Sequence, residues 1–200
     1  MSKVDTDNNQ TVVLNESEIK NDWSEFYKKN FDIEINLSAL SIPAPKEGFI
    51  RCLIVIPGVN LGMVLMKIKS FMGVVSKKYD HYLDDFIIHN DRDAEPGNPY
   101  AIWVRDAVEA DEEHTAMSYN DVQEEKISGE TFLERLLHGL KYFLETGEHL
   151  DCEGATLCSG SRSENDVPTV KFEKSINKLD IYGYYLKDGF GDMSIREISC

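Results

Sequence analysis

The segment ISGETFLERLLHGLKYFLETGEHL restricts the possible folds of this chain more than any other. Its apolar residues recur at intervals of three and four, which is the spacing of one face of an α-helix. Ser128 is a candidate N-terminal cap, and Gly147 is a stop signal. The apolar face consists of Phe132, Leu133, Leu136, Leu137, Leu140, Phe143 and Leu144. A face this broad predicts a long helix that packs against the core of its domain.

The residues that follow this helix form short strand-like runs separated by turns. Four runs have strand length: ATLCS, PTVKFEK, KLDIYGYYL and MSIREIS. The breaks SINK and KDGFGD are typical of hairpin turns, the second because of its Asp188-Gly189 pair. Residues 52–56, apolar on both faces, and the segment NPYAIWVRD predict two earlier strands. This order predicts an α+β fold: a mixed or antiparallel sheet, the long amphipathic helix packed on one face, and a C-terminal strand meander.

Three further segments are expected to be helical. SEIKNDWSEFYKKNF predicts a short helix because four of its apolar residues are spaced four apart: Ile19, Trp23, Tyr27 and Phe31. NLGMVLMKIKSFMG has helical spacing between a candidate cap, Asn60, and a candidate stop, Gly73. In SYNDVQEEK, Ser118 and Asp121 stand at the spacing of a capping box.

Residues 1–45 are expected to be an N-terminal extension of a single α+β domain formed by residues 46–200. The start MSKVDTDNNQ is polar and aperiodic, which predicts that part of the extension is disordered. The segment SIPAPKEG predicts an extended linker, because each proline disfavours helix in the residue before it.

The net charge of −15 is concentrated in one part of the chain. Residues 81–125 contain 13 Asp and Glu against two Arg, a net charge of −11, and follow a small basic group, Lys67, Lys69, Lys77 and Lys78. Phosphate contacts need a positive surface, so this distribution argues against direct nucleic-acid binding. The acidic stretch is either a solvated face or a surface that docks on a basic protein partner and competes with nucleic acid for it.

The cysteines and the apolar runs indicate a cytoplasmic protein. No run approaches the roughly 18 apolar residues of a membrane span, and the start of the chain lacks the apolar core of a secretory signal. The four cysteines are scattered at Cys52, Cys152, Cys158 and Cys200 and form no CxxC pair. They are expected to be reduced thiols, and neither a zinc site nor any cofactor is indicated.

The segment RDAVEADEEH brings several oxygen ligands to the end of the predicted strand AIWVR. Hard divalent metals bind such groups, and many metal-dependent hydrolases place carboxylates at strand ends. Against a metal site, the chain has no HExxH or DxDxDG pattern and no lysine at nuclease spacing. A metal-dependent hydrolase that uses residues 106–114 therefore stays an alternative to a solvated loop.

The other histidines give weaker signals. In HYLDDFIIHNDRDAEPG, His81 and His89 lie near four aspartates, a grouping found in acid–base pairs and metal sites. The Pro and Gly that follow favour a surface loop instead. His138 falls on the polar side of the long helix, near Glu134 and Lys141, and is expected to be exposed.

The segment TLCSGSR has the most enzyme-like composition in the chain. Cys158 and Arg162 are four positions apart, whereas a phosphatase loop needs Cys-x5-Arg, and neither Ser159 nor Ser161 lies in a GxSxG elbow. A thiol enzyme that uses Cys158 with a histidine from elsewhere stays open. Weak anion binding by Ser159, Gly160, Ser161 and Arg162, in a nest of amides, also stays open. The simplest interpretation is a buried strand end followed by a loop.

Three segments of the chain form a distinctive set when they are taken together: YAIWVRDAVEADEEH, GETFLERLLHGLKYFLETGEHLD and TLCSGSR. Together they resemble a group of uncharacterised bacterial proteins found largely in genomes of uncultured candidate phyla, which carry a similar Trp-Val-Arg-Asp stretch, leucine-rich helix and Leu-Cys-x-Gly-Ser-Arg turn. The resemblance covers roughly residues 50–200 and implies that these residues are the structural unit. Since no activity is assigned to the group, it implies no cofactor and no catalytic residue.

The concentrated negative charge and the lack of catalytic motifs favour a non-enzymatic function. The sequence predicts a protein–protein interaction or regulatory protein whose acidic face, residues 81–125, binds a basic partner. The partner-binding candidates are Asp106, Glu109, Asp111, Glu112 and Glu113. The alternatives are the metal-dependent hydrolase, the thiol enzyme at Cys158, and a structural subunit of a larger assembly.

Overall fold

The structure is a computed structural model that describes residues 15–76, 87, 89–94 and 98–200. Within these residues lie four α-helices: α1 (Glu16–Phe31), α2 (Leu61–Lys69), α3 (Tyr119–Glu125) and α4 (Phe132–Thr146). The strands are β1 (Arg51–Val55), β2 (Gly73–Ser76), β3 (His89–Asn90), β4 (Tyr100–Val104), β5 (Ala155–Leu157), β6 (Ser161–Arg162), β7 (Asp166–Glu173), β8 (Lys178–Tyr185) and β9 (Met193–Ser194). Two short 3-10 turns cover Glu112–His114 and Lys174–Ile176.

Five strands form a mixed sheet in the order β2-β8-β7-β5-β9. The central strands β7 and β8 are antiparallel, as are β5 and β7, whereas β2 and β9 each join an edge in parallel. Two separate antiparallel pairs, β1 with β4 and β3 with β6, complete the strand pairing. This architecture confirms the predicted α+β fold with a mixed sheet and a C-terminal strand meander.

The first of the two predicted hairpins is present, and the prediction of the second is wrong. The SINK turn joins β7 to β8 in a regular antiparallel register, from Asp166 opposite Tyr185 to Glu173 opposite Lys178. After KDGFGD, however, β9 pairs in parallel with β5, so that β7 and β5 separate it from β8. The Asp188-Gly189 signal marks a change of chain direction but cannot specify which strand the next one pairs with.

The long helix α4 packs against α2, β1 and β7, as its apolar face predicts. Its N-terminal cap is Thr131, not Ser128. The Thr131 hydroxyl accepts a hydrogen bond from the Glu134 amide at 3.2 Å, and the Glu134 carboxylate accepts one from the Thr131 amide at 2.6 Å. A capping box needs an acceptor side chain such as Glu or Asp three residues after the cap, and Thr131 meets this condition with Glu134, whereas Ser128 is followed at that position by Thr131. Gly147 ends the helix in the left-handed conformation, with φ of 77°, as predicted.

The helix predicted in the N-terminal extension is present as α1, and it belongs to the main hydrophobic core. The Trp23 indole N–H donates to the carbonyl of Cys52 at 3.1 Å, and the Tyr27 hydroxyl donates to the carbonyl of Ile54 at 2.6 Å. Side chains one helical turn apart thus satisfy two outward-facing carbonyls of β1, which covers the edge of that strand. Helix α1 therefore shares one hydrophobic core with the domain predicted for residues 46–200.

Of the two shorter helices, α2 and α3, only α2 differs from its prediction, and only at its C-terminal end. Asn60 caps α2 through a 2.9 Å hydrogen bond from the Met63 amide, as predicted. The helix ends at Lys69 rather than Gly73, because Gly73 already pairs with Lys178 as the first residue of β2. The capping box of Ser118 and Asp121 at the start of α3 is confirmed. Among the described residues, no helix combines the length and the apolar character needed to cross a bilayer.

Candidate functional site

The carboxylates of the acidic stretch after β4 have internal partners. Asp106 forms an ion pair with Arg51 at 2.7 Å, and the same arginine binds Glu145 of α4 at 2.5 Å. The half-exposed carboxylate of Glu109 accepts hydrogen bonds from the amides of Cys152, Glu153 and Gly154 at 3.0–3.1 Å. These carboxylates therefore fix the loop after β4 to α4 and to the turn before β5.

Arg105 collects three more carboxylates around its guanidinium group. Its Nη1 lies 2.6 Å from Asp111 Oδ2, and its Nη2 lies 2.8 Å from Glu113 Oε1 and 3.1 Å from Glu197 Oε2. Asp111 is buried, which raises the pKa of its carboxyl, and it also accepts a hydrogen bond from the Glu197 amide at 2.7 Å. Arg105 thus supplies the positive charge that this group of carboxylates requires.

The same place holds the one group of potential metal ligands found among the described residues. One ligand atom each from Asp111, His114 and Glu197 lie within 4.8 Å of one another. His114 Nε2 is 3.5 Å from Glu197 Oε2, but Glu197 also binds Arg105 and, at 3.1 Å, Lys46. A metal ion at this point would have to compete with two cationic side chains, so the geometry gives the hydrolase alternative little support.

An acidic cleft of about 320 Å³ opens beside this group. Its walls come from the segment between β4 and α3, the start of β5, and the residues around β9. Four carboxylates line it, and no lysine or arginine does: Glu109, Glu112, Glu153 and Asp192. Glu112, Glu153 and Asp192 are exposed to solvent. Two of the predicted partner-binding residues, Glu109 and Glu112, therefore face a concave surface together with two that the sequence did not single out.

A buried network of charged residues centres on Asp151. Asp151 Oδ2 accepts hydrogen bonds from Arg135 Nε at 2.8 Å and Nη2 at 2.6 Å, and its Oδ1 accepts one from Arg196 Nη2 at 2.6 Å. Arg196 also donates to the carbonyls of Ala107 and Val108 at 2.9 and 2.7 Å. Burial by itself raises the pKa of Asp151, but the two arginines outweigh it and hold that pKa below its usual range. The network joins α4 to the loop after β4 and to the C-terminal segment.

The prediction that His138 is exposed is wrong. His138 is 1% exposed, and its Nδ1 lies 2.8 Å from Oε1 of Glu130, which is 0% exposed. Burial lowers the pKa of His138 well below its ordinary value and raises the pKa of Glu130 to about 7. The charged side of α4 faces Asp151, Arg196 and other charged groups inside the fold, and helical spacing alone cannot distinguish such a side from one in solvent.

A second ion pair lies at the first turn of α4. Glu134 accepts hydrogen bonds from Arg92 Nε and Nη2 at 2.9 and 2.8 Å, and from the Tyr100 hydroxyl at 2.9 Å. Arg92 also donates to the carbonyl of Gly129 at 2.6 Å. The carboxylate is buried, and it binds the segment around residue 92 to the helix.

The TLCSGSR segment is a strand end and a turn that packs against the start of α4. The amides of Ser159, Gly160 and Ser161 donate to the carbonyls of Leu157, Glu130 and Cys158 at 2.8–3.0 Å. They are not open to an anion, so the anion-binding prediction has no support from the turn's geometry. A Cβ at Gly160 would lie 2.8 Å from the Gly129 carbonyl oxygen, which explains the glycine.

Cys158 is a buried core residue. It is 0% exposed, and burial raises the pKa of its thiol well above the usual value. A catalytic thiol has to be accessible and ionised, so this environment does not favour the thiol-enzyme alternative.

Several predicted features lie outside the described residues, among them His81, Lys77, Lys78 and parts of the acidic stretch at residues 81–86, 88 and 95–97. Of the functional candidates, the sequence missed the buried Arg135, Asp151 and Arg196. Only Arg135 gave a signal, as one of the charges at helical spacing beside the apolar face of α4, whereas Asp151 and Arg196 lie outside the helix.

No family model, no curated protein and no solved structure matches this chain. The resemblance to the candidate-phyla proteins therefore stays a prediction.

Proposed function

We propose that this chain is a non-enzymatic interaction protein that binds a basic segment of a partner protein in the acidic cleft. The observation that carries the proposal is the cleft itself, where four carboxylates and no cationic side chain line one concave surface. Concave surfaces lined by one sign of charge focus the electrostatic potential and accelerate encounter with ligands of the opposite sign. The net charge of −15 also attracts positively charged ligands at long range.

The four carboxylates differ in how much of their charge is available. Glu112 and Asp192 are exposed, and no ion pair joins them to a cation within the described part of the chain. Glu153 pairs with Lys174 at 3.1 Å on the rim, in a contact that is largely exposed and therefore weak. Glu109 is committed to three amides. Recognition of a cation therefore rests mainly on Glu112 and Asp192.

The proposed binding surface is smaller than the acidic face, residues 81–125, that the sequence predicts. Asp106, Asp111 and Glu113 form ion pairs with Arg51 or Arg105, so their negative charge is already balanced by a cation of the same chain. The remaining candidates, Glu109 and Glu112, lie in the cleft. We therefore place the binding surface in the cleft and not across the whole acidic stretch.

The size of the cleft favours one extended basic segment over a broad protein surface. A volume of about 320 Å³ accommodates one or two long side chains. Arginine is the better fit, because its planar guanidinium forms paired hydrogen bonds with carboxylates and loses less hydration energy than an ammonium group. The proposed ligand is therefore an extended segment that contains arginine.

Amide chemical shifts of the ¹⁵N-labelled full chain test the location of binding. The probe is a short peptide in which arginine alternates with glycine, and its control is the same peptide with citrulline in place of arginine. We expect saturable shifts in residues 109–115, 153–155 and 191–194 with the arginine peptide only, and weaker binding at higher salt. Shifts that spread over the whole surface, or equal shifts with the citrulline peptide, would contradict the proposal.

A further inference from the structure

Three aromatic rings lie together next to the turn that forms part of the wall of the acidic cleft. The Tyr182 and Tyr184 rings are perpendicular, with centroids 5.2 Å apart, and the Phe190 ring lies 4.6 Å from that of Tyr184. Phe190 is 42% exposed, and the two tyrosines are half-buried. We call Tyr182, Tyr184 and Phe190 the aromatic group. Its rings form part of the surface that faces solvent.

The strand register places both tyrosines on the face of the sheet that leads to the cleft. Tyr182 lies opposite Thr169 of β7, and the Thr169 hydroxyl lies 3.9 Å from Sδ of Met193. Met193 lines the cleft together with Ala155, its partner in β5. Tyr184 is two residues after Tyr182 and shares its face, because side chains alternate along a strand. The aromatic group and the cleft therefore lie on one face of the sheet.

The turn at residues 190–193 joins the two surfaces directly. The Met193 amide donates to the Phe190 carbonyl at 2.9 Å, which closes the turn. Gly191, Asp192 and Met193 line the cleft, whereas Phe190 packs on Tyr184. Two residues of chain span at most about 7 Å, so the Cα atoms of Phe190 and Asp192 lie within that distance. Asp192 thus belongs to the cleft and also borders the aromatic group.

The charges near the aromatic group favour a cation. Burial raises the pKa of Tyr184, and the negative charges of three aspartates raise it further: Asp192, Asp180 and Asp188. Lys171 stands opposite Asp180 in the sheet, but its Nζ donates to the Glu153 carbonyl at 3.0 Å. The faces of aromatic rings are themselves electron-rich and attract cations. Rings and carboxylates therefore act in the same direction on a positively charged ligand.

Elsewhere in the chain, basic side chains lie over aromatic rings. Arg105 Cζ is 4.4 Å from the centroid of the Phe49 ring, and Arg51 Cζ is 5.1 Å from that of Tyr142. Among the described residues, no lysine or arginine lies in this way over a ring of the aromatic group. These rings are therefore open to a cation that comes from a partner.

We propose that the aromatic group binds a second arginine of the basic segment that occupies the acidic cleft, so that the partner carries two arginines separated by one residue. This inference rests on the proposed function, because the first arginine has to bind in the cleft. Alternate residues of an extended segment point to the same side and lie about 7 Å apart, which matches the separation of Phe190 and Asp192. Arginine fits better than lysine, because its flat guanidinium stacks on aromatic rings and is more weakly hydrated.

Fluorescence anisotropy of two matched peptides with the full chain tests the inference. The first peptide has two arginines separated by one glycine, and in the second peptide citrulline replaces one of them. We expect Phe190→Leu to weaken binding of the two-arginine peptide about threefold, the size of a cation–π contact at a partly exposed site, and to leave the one-arginine peptide unaffected. The control is Phe71→Leu, which changes a ring of similar exposure, 41%, outside the aromatic group and should affect neither peptide. Equal weakening of both peptides by Phe190→Leu, or no weakening of either, would overturn the inference.

Ring resonances of the unmodified chain give a second test that does not depend on a variant. We expect the two-arginine peptide to shift the ring protons of Tyr182 and Phe190 saturably, together with the amides of residues 109–115, which report on the cleft. Amide shifts in the cleft without ring shifts would contradict this inference and leave the proposed function intact. Absence of shifts at both places would contradict the proposed function, and this inference with it.

Discussion

Arg135 and Asp151 form an ion pair that is almost completely shielded from solvent, with Arg135 Nη2 2.6 Å from Asp151 Oδ2 and exposures of 1% and 0%. Arg196 binds the other oxygen of the same carboxylate. The pair connects α4 with the turn that leads to β5, and Arg196 extends the connection to the C-terminal segment. A polar network thus lies between elements that are far apart in the sequence.

Removal of the central carboxylate should strongly destabilise the fold. Asp151→Asn leaves two buried guanidinium groups without a counter-charge, and the loss of one partner of a buried ion pair costs about 3–5 kcal/mol. Urea unfolding followed by circular dichroism measures the loss. The control is Lys174→Ala, which removes the exposed ion pair with Glu153 and should leave the urea midpoint unchanged. Equal effects of the two substitutions would show that the buried network does not stabilise the fold.

The two single variants of the Glu130–His138 pair should have folding stabilities that depend on pH in opposite directions. Between about pH 4.5 and 6.5 the folded pair holds one proton on Glu130, and the unfolded pair holds one on His138, so the pair gives wild-type stability little pH dependence there. In Glu130→Gln only the histidine titrates. Because its folded pKa is lowered, the unfolded state binds the extra proton below pH 6.5, and stability should rise as pH rises.

In His138→Gln only the carboxyl titrates, and the sign reverses. The folded pKa of Glu130 is raised to about 7, so the folded state binds the extra proton and stability should fall as pH rises from 4.5 to 7. In each variant, the free energy of unfolding should change by no more than about 1.4 kcal/mol per pH unit. Urea unfolding at several pH values measures both slopes, and slopes of the same sign in the two variants would contradict the assignment.

Residues before 46 should be required for folding. Trp23 and Tyr27 of α1 bind the outer carbonyls of β1, and both are buried in the main core. A chain of residues 46–200 would expose this core and leave the edge of β1 uncovered. We expect it to lack a cooperative thermal transition, while a chain of residues 15–200 unfolds cooperatively. A stable, cooperatively folded 46–200 chain would contradict this expectation and support the predicted separate extension.

The cysteines should differ sharply in reactivity. Cys158 is buried with a raised thiol pKa, whereas Cys200 is exposed. Brief treatment with iodoacetamide at pH 7.5, followed by peptide mass spectrometry, should label Cys200 and leave Cys158 unmodified. Labelling of Cys158 at the rate of Cys200 would make the thiol-enzyme alternative credible again.

The sequence is informative where local patterns determine the structure. The apolar spacing of α4, the caps Asn60, Ser118 and Gly147 and the SINK hairpin all depend on residues close together in the chain. The α+β class follows from the order of these elements. Such features are encoded by periodicity and turn chemistry, and they can be predicted without tertiary contacts.

The remaining features depend on contacts between distant segments. β9 pairs with β5, and Arg196 meets Asp151, across about 40 residues of intervening chain. His138 lies on a helix face that is polar in sequence but is buried by these distant residues. The acidic cleft likewise combines Glu112 with Glu153 and Asp192, which no spacing pattern connects. Helical or strand periodicity contains no information on such pairs.

The affinity of two charge-reversed variants for the arginine–glycine peptide tests the central claim most directly. Glu112→Lys with Asp192→Lys reverses the two available charges of the cleft. Glu47→Lys with Glu164→Lys makes the same change in net charge at exposed residues outside it. We predict from fluorescence anisotropy at physiological salt that the first variant binds at least about tenfold more weakly than wild type, and the second within about twofold. Equal weakening in both variants would contradict the account, because the peptide would then respond to net charge and not to the cleft.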